Sequence, residues 1–221
     1  MSAVRERVLA EVRAALGGGQ GDPATIAREA AAITAGPERV QPKFSSVGNV
    51  DRFIERATSE RVTATVDQVR EFAEVPPAVR GYLLRQNVPL EAAMVTAQGL
   101  AGLDWGDIAI HHSIEANELV SITLADFGIA ETGSLVFHSS PDAPTRFNFL
   151  PLHHIAVVEE RNILRYMEDY WAWLRATGNP HPRNINFITG TSGTADIEGK
   201  NIRGAHGPRF MHIVLIGDYA R

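Results

Sequence analysis

Short apolar runs alternating with segments of helical period constrain this chain more than any other feature. The runs are Val62–Val66, Ala92–Thr96, Ile108–His111, Leu119–Leu124, Ser134–His138, His154–Val158, Asn184–Thr189 and Phe210–Ile216. Helical patterns fall between them, at Asn49–Ala57, Asp67–Ala73, Pro77–Gln86 and, longest, about Arg161 to Ala176. Strands of four to seven residues separated by helices predict βαβ units and a mostly parallel sheet covered on both faces. With 221 residues, 44% of them hydrophobic, the chain is long enough to bury such a sheet in one domain.

The first 46 residues read differently. Val4, Val8, Val12 and Leu16 recur every fourth position, which predicts an amphipathic helix over residues 3–16 that stops at Gly17-Gly18-Gly19. A Gly-, Pro- and Ala-rich stretch with one short helix near Ala24–Thr34 continues to about Gly48. The expected organisation is an N-terminal helical arm and linker over 1–46, then an α/β domain over 47–221.

Composition removes several functions. The formal net charge is −5 with scattered basic residues, so the electrostatic footprint of a nucleic-acid or anionic-membrane binder is missing. The 221 residues hold no cysteine, which excludes disulfides, a thiolate nucleophile and a thiolate-held iron–sulfur cluster on them. Charged residues interrupt the apolar positions of the first helix, so neither a secretory signal nor a membrane span is expected, and the expected location is cytoplasmic.

Three polar stretches could carry chemistry. In Gly128–Ser134 ("GIAETGS"), Gly133 permits close backbone approach, Thr132 and Ser134 offer hydroxyls, and Glu131 is a candidate base or acceptor; the same residues also suit a turn that satisfies its own backbone. In Ile188–Gly199 ("ITGTSGTADIEG"), Ser192 and Thr194 sit among glycines in a loop suited to a phosphate or carboxylate. Asp196 and Glu198, two apart, face one way in an extended segment and suit acid–base work or the holding of a hard cation through oxygens, for which two carboxylates alone are a weak signal. Neither a P-loop nor a dinucleotide glycine motif is present. The third stretch is Gly204–Arg209 ("GAHGPR"), where His206 is a candidate acid, base or anchoring donor.

Two features suggest structure more than chemistry. The pairs His111-His112 and His153-His154 resemble metal motifs, but strand neighbours face opposite ways, so each pair gives at most one ligand to a site, and no metal is expected. Tyr166, Tyr170, Trp171 and Trp173 on the long helix suit core or subunit packing, which leaves a homo-oligomer open.

Taken together, "ADFGIAETGSLVF" (125–137), "LPLHHIAVVEE" (150–160), "ITGTSGTADIEG" (188–199) and "GAHGPRFMHIVLI" (204–216) resemble the LUD-domain family, in particular its lactate utilization protein C (LutC/YkgG-like) members. The resemblance implies a three-layer αβα fold of the NagB/RpiA/CoA-transferase kind, with these loops gathered at one end of the sheet. It also implies a part in oxidising L-lactate to pyruvate beside iron–sulfur LutA-like and LutB-like partners that carry the clusters, with no cofactor in this chain and a small carboxylate or phosphorylated ligand. Catalytic roles would fall on Glu131, Asp196 and His206, and ligand contacts on Thr132, Gly133, Ser134, Ser192, Thr194 and Glu198. The family loop carries a basic residue where this chain has Gly193, so an anion-pairing charge is lost unless Lys200 or Arg203 supplies it. A stand-alone isomerase or transferase acting on a phosphorylated or CoA-linked molecule, and a non-catalytic scaffold docking through the N-terminal helix, are the alternatives.

Overall fold

The computed structural model describes residues 3–16, 22–35, 41–44, 47–178, 181–195 and 201–217. The chain divides into two compact units, residues 1–42 and 43–221. The first holds two helices, α1 (Ala3–Ala15) and α2 (Pro23–Thr34). Asp22 caps α2: its carboxylate accepts from the amides of Ala24 and Thr25, and Pro23 supplies a preset φ for the first turn. The predicted stripe of α1 is present but exposed, with Val4 at 60%, Val8 at 48%, Val12 at 49% and Leu16 at 76%.

The second unit runs α3 (Asn49–Ala57), β1 (Thr65–Val69), α4 (Val75–Gln86), β2 (Glu91–Met94), α5 (Gln98–Ala101), β3 (Ala109–His111), β4 (Val120–Leu124), β5 (Phe127–Ile129), β6 (Ser134–His138), α6 (Arg146–Phe149), β7 (His153–Glu159), β8 (Ile163–Leu164), α7 (Met167–Thr177), β9 (Ile185–Ile188), β10 (Gly193–Ala195), β11 (Asn201–Arg203) and β12 (Phe210–Ile216). Six strands form one sheet in the order β1-β12-β7-β4-β2-β3, every pairing parallel. A parallel sheet must be covered on both faces, and the side-chain alternation of its central strands shows how. On β7, Ile155 and Val157 join Val75, Val79 and Leu83 of α4 in one core, while Ala156 and Val158 join Phe53 and Ala57 of α3 and Leu135 and Phe137 of β6 in another. The result is the expected three-layer α/β arrangement.

The sequence pattern differs from the structure chiefly at the first strand, at the segment after it and at the start of the long helix. The first strand begins at Thr65 instead of Val62, because Thr63 takes a left-handed φ of 62° that an extended strand cannot hold, and the segment expected as helix from Asp67 is strand to Val69. The long helix starts at Met167, not Arg161, because Ile163 and Leu164 pair with Gly128 and Ile129 of β5. That pairing belongs to a second sheet, β8-β5-β6-β9, whose outer side packs Ile129 and Val136 against Tyr170 and Leu174 of α7. Tyr170 is fully buried in this third core, whereas Trp171 and Trp173 remain about a third exposed.

Candidate functional site

The smaller sheet brings two of the polar stretches together. Ser134 opens β6 and stands across from Thr189, just past the end of β9, so residues 55 positions apart meet through their hydroxyls at 2.6 Å. Ser134 is also 2.6 Å from Thr132, giving a Thr132–Ser134–Thr189 hydroxyl chain. From Thr189 the chain turns through Gly190, whose φ of 76° and close approach to Val62 admit no side chain. The amide of Thr191 donates to the Val62 carbonyl at 3.2 Å, and the Thr191 hydroxyl meets that of Thr63 at 2.7 Å. The third stretch is tied to the second by its backbone: Ser192 donates its amide to the Pro208 carbonyl and Gly204 donates to the Ser192 carbonyl, both at 2.9 Å. Gly207 lies against Ser192.

These loops wall a cavity of about 300 Å³. Thr189, Thr191, Ser192 and His206 supply its loop-borne polar groups, Asn148 of α6 and His154 of β7 its buried ones, and Phe149, Phe187, Ile188 and Met211 its apolar lining. It lies beside the amino ends of β7 and β12, whereas the loop that forms most of its wall leaves the carboxyl end of β9. No Lys, Arg, Asp or Glu lines it among the described residues.

The predicted site residues are distributed unevenly around it. Ser192 and His206 line the cavity, and Ser134 reaches it through Thr189. Thr132 is one hydroxyl further back. Thr194 lies on β10, opposite Ile202 of β11 in a two-stranded hairpin. Gly133 is buried with φ 72°, and the backbone it admits is that of Arg56 and Ala57 of α3. Glu131 does not line the cavity: its carboxylate accepts from the amide of Met167, the first residue of α7, at 3.3 Å, and its own amide donates to the Arg165 carbonyl. A carboxylate at that end of a helix is stabilised by the unpaired N–H groups and the helix dipole. Asp196, Glu198 and Lys200 lie outside the described residues. Arg203 sits across the hairpin from Gly193.

The residue that sequence reasoning passed over is His154. The two histidines do face opposite ways: His153 Nδ1 bonds the Tyr82 hydroxyl at 2.9 Å on one side of the sheet, and His154 Nε2 bonds the Thr123 hydroxyl at 2.7 Å on the other. His154 is 1% exposed, its Nδ1 is buried without a hydrogen-bond partner, and the residue borders the cavity. Burial pushes its pKa down to about 3, so the imidazole is neutral. An adjacent His-His at a strand start was the available signal; which of the two meets a cavity is decided by packing.

On the far face, His212 of β12 stacks on Tyr82 with ring centroids 4.1 Å apart, bonds the Thr65 hydroxyl through Nδ1 at 2.8 Å, and has Nε2 3.5 Å from Asp67. Burial lowers its pKa to about 4, outweighing the opposing pull of Asp67. Burial also pushes the Tyr82 hydroxyl up to about 12 and the His153 pKa down. No group of three or more His, Cys, Asp or Glu suited to holding a metal occurs among the described residues, and no helix among them is long and apolar enough to cross a membrane.

Fold and cavity together define a three-layer α/β protein with a glycine- and hydroxyl-walled cavity at the junction of its two larger sheets. Residues 114–216 match the LUD domain, and every residue lining the cavity lies within them. In sequence the chain is similar to lactate utilization protein C of several bacteria. It is 36% identical to lactate utilization protein C of Bacillus subtilis over 118 residues, 52% of this chain and 48% of that one. It is 29% identical to lactate utilization protein C of Geobacillus thermodenitrificans over 181 residues, 75% of this chain and 72% of that one. The chain spans about half the length of the Bacillus relatives it matches. A crystal structure of a DUF162 family protein from Deinococcus radiodurans shares the fold, with a TM-score of 0.57 at 20% identity, covering 79% of this chain and all of that one.

Proposed function

We propose that this protein is a component of a lactate utilization system that binds a small anionic ligand in the cavity between Thr189–Gly193 and His206. The observation that carries the proposal is positional: the segment matched to the LUD domain contains the whole cavity lining, and the relatives similar to this chain are named for lactate utilization. In the proposed role, electrons pass to iron–sulfur partner proteins of the LutA and LutB kind, since these 221 residues offer no thiolate to hold a cluster. This chain contributes ligand recognition through the Ser192 hydroxyl and the imidazole of His206. Deleting the gene from its host is expected to abolish growth on L-lactate as sole carbon source and leave growth on glucose unchanged; normal growth on L-lactate overturns the proposal.

The exposed stripe of α1 favours a second role, as a docking element for those partners, because apolar side chains in helical register suit the groove of another protein. Removing residues 1–20 should then abolish co-purification with the iron–sulfur proteins while the melting temperature of residues 43–221 holds. Unchanged co-purification rules this docking role out.

A further inference from the structure

In an open parallel sheet, ligands settle beyond the carboxyl ends of the strands, at the point where neighbouring connections leave in opposite directions. Here that point lies between β2 and β4, because the chain leaves β2 for β3 towards one edge of the sheet and β4 for β7 towards the other. A cavity of about 440 Å³ occupies it, at the opposite end of the strands from the cavity described above. Ala97 just past β2, Leu124 and Asp126 at the end of β4, and Glu159 at the end of β7 line it. The loop after β6 also borders it, tied to the end of β2 where the Thr96 amide donates to the Asp142 carbonyl at 3.0 Å.

We propose that this second cavity binds a small primary amine as its ammonium ion. Its wall carries the carboxylates of Asp126, Asp142 and Glu159 and, among the described residues, no Lys or Arg. Glu159 is paired at 2.8 Å with Arg161, an exposed side chain outside the lining, whereas Asp126 and Asp142 have no Lys or Arg partner among the described residues. The wall also carries Phe127 and Trp173, with ring centroids 4.6 Å apart, and Trp173 is left about a third exposed. An aromatic face attracts a cation as a carboxylate does. Asp126 is held in place to receive one: its carboxylate accepts from the His138 amide at 2.7 Å and lies 3.1 Å from His138 Nδ1, while His138 Nε2 bonds the hydroxyl of the fully buried Tyr170 at 2.7 Å. A carboxylate fixed by such a chain is preorganised for an N–H donor. A bare metal ion does not suit the arrangement, since no group of three or more His, Cys, Asp or Glu among the described residues is placed to hold one. An ammonium group with three N–H donors and a short apolar tail does, the carboxylates accepting from the donors and Leu124, Ala143 and Phe127 covering the tail. An anionic ligand would meet like charge. The proposal does not depend on the role assigned to the first cavity.

The test titrates the full chain with probes of equal chain length and different charge, n-butylammonium, 1-butanol and butyrate, and separately with Mg²⁺. The Trp173 indole N–H and the backbone amides of Asp126 and His138 are followed by ¹H–¹⁵N NMR. n-Butylammonium is expected to shift all three signals saturably, with 1-butanol and butyrate binding at least about tenfold more weakly. Mg²⁺ should leave Trp173 unmoved. Trp173→Leu and Asp142→Asn, both at exposed positions, should each weaken n-butylammonium by about threefold to tenfold, with amide spectra that show the fold retained. Asp126→Asn should weaken it by about tenfold or more, read at the Trp173 indole. Binding of 1-butanol or butyrate as tight as that of n-butylammonium, a saturable Mg²⁺ shift at Trp173, unchanged affinity in both Trp173→Leu and Asp142→Asn, or no saturable response to n-butylammonium each overturn the inference.

Discussion

Acid should destabilise this protein well above the range in which carboxylates titrate, through His154 and His212. Both are 1% exposed and neutral in the folded state, with pKa values lowered to about 3 and about 4, against 6.5 ordinarily. A lowered folded-state pKa means that the unfolded chain binds more protons between the two values. Stability is therefore complete above about pH 6.5 and is lost as pH falls towards the folded-state values. At pH 5 each histidine contributes a loss of roughly 2 kcal/mol, 1.36 kcal/mol for each of the 1.5 units below 6.5, so the pair removes about 4 kcal/mol. That is a large fraction of the 5–15 kcal/mol by which such domains are typically stable. The assay is urea unfolding followed by circular dichroism at half-unit steps from pH 7.5 to 5. Between pH 6 and 5 the unfolding free energy should fall with a slope approaching two protons, about 2.7 kcal/mol per unit. His154→Gln and His212→Gln should each remove about half of that slope. A flat profile from pH 7.5 to 5 refutes the reasoning, because both rings would then be protonated or solvated in the native state.

Other consequences follow from single contacts. Gly190→Ala places a Cβ against Val62 at a left-handed φ and should cost about 3 kcal/mol or more, read as a lower urea midpoint. Glu131→Gln removes the charge at the start of α7 and should cost about 1 kcal/mol while ligand affinity stays within twofold; a loss of binding would show that the carboxylate reaches the ligand. Ser134→Ala breaks the Thr132–Ser134–Thr189 hydroxyl chain and should lower stability by about 1–2 kcal/mol in the same unfolding assay.

The parts of the fold legible in the sequence are those decided locally. Asn49–Ala57 and Phe210–Ile216 have the expected bounds because one has helical period with apolar Phe53 and Ala57 inward, and the other is continuously apolar. The start of α7 was not legible, since Ile163 and Leu164 suit a helix as well as a strand until β5 lies beside them. The site divides in the same way. Glycine and hydroxyl content marked Ser192 and His206, which line the cavity, but the pairing that sets Thr189 beside Ser134 is made across 55 residues. The direction of the Glu131 carboxylate depends on where α7 begins, and the unpaired nitrogen of His154 is a property of packing alone.

The most direct test joins the cavity to the proposed role. A host strain whose only gene copy carries Ser192→Trp has a cavity blocked at its wall, in a loop where the remaining fold is retained, as an unchanged unfolding midpoint would show. Growth on L-lactate as sole carbon source should be lost while growth on glucose is kept. Wild-type growth on L-lactate with the cavity filled would contradict the assignment of this site to lactate utilization.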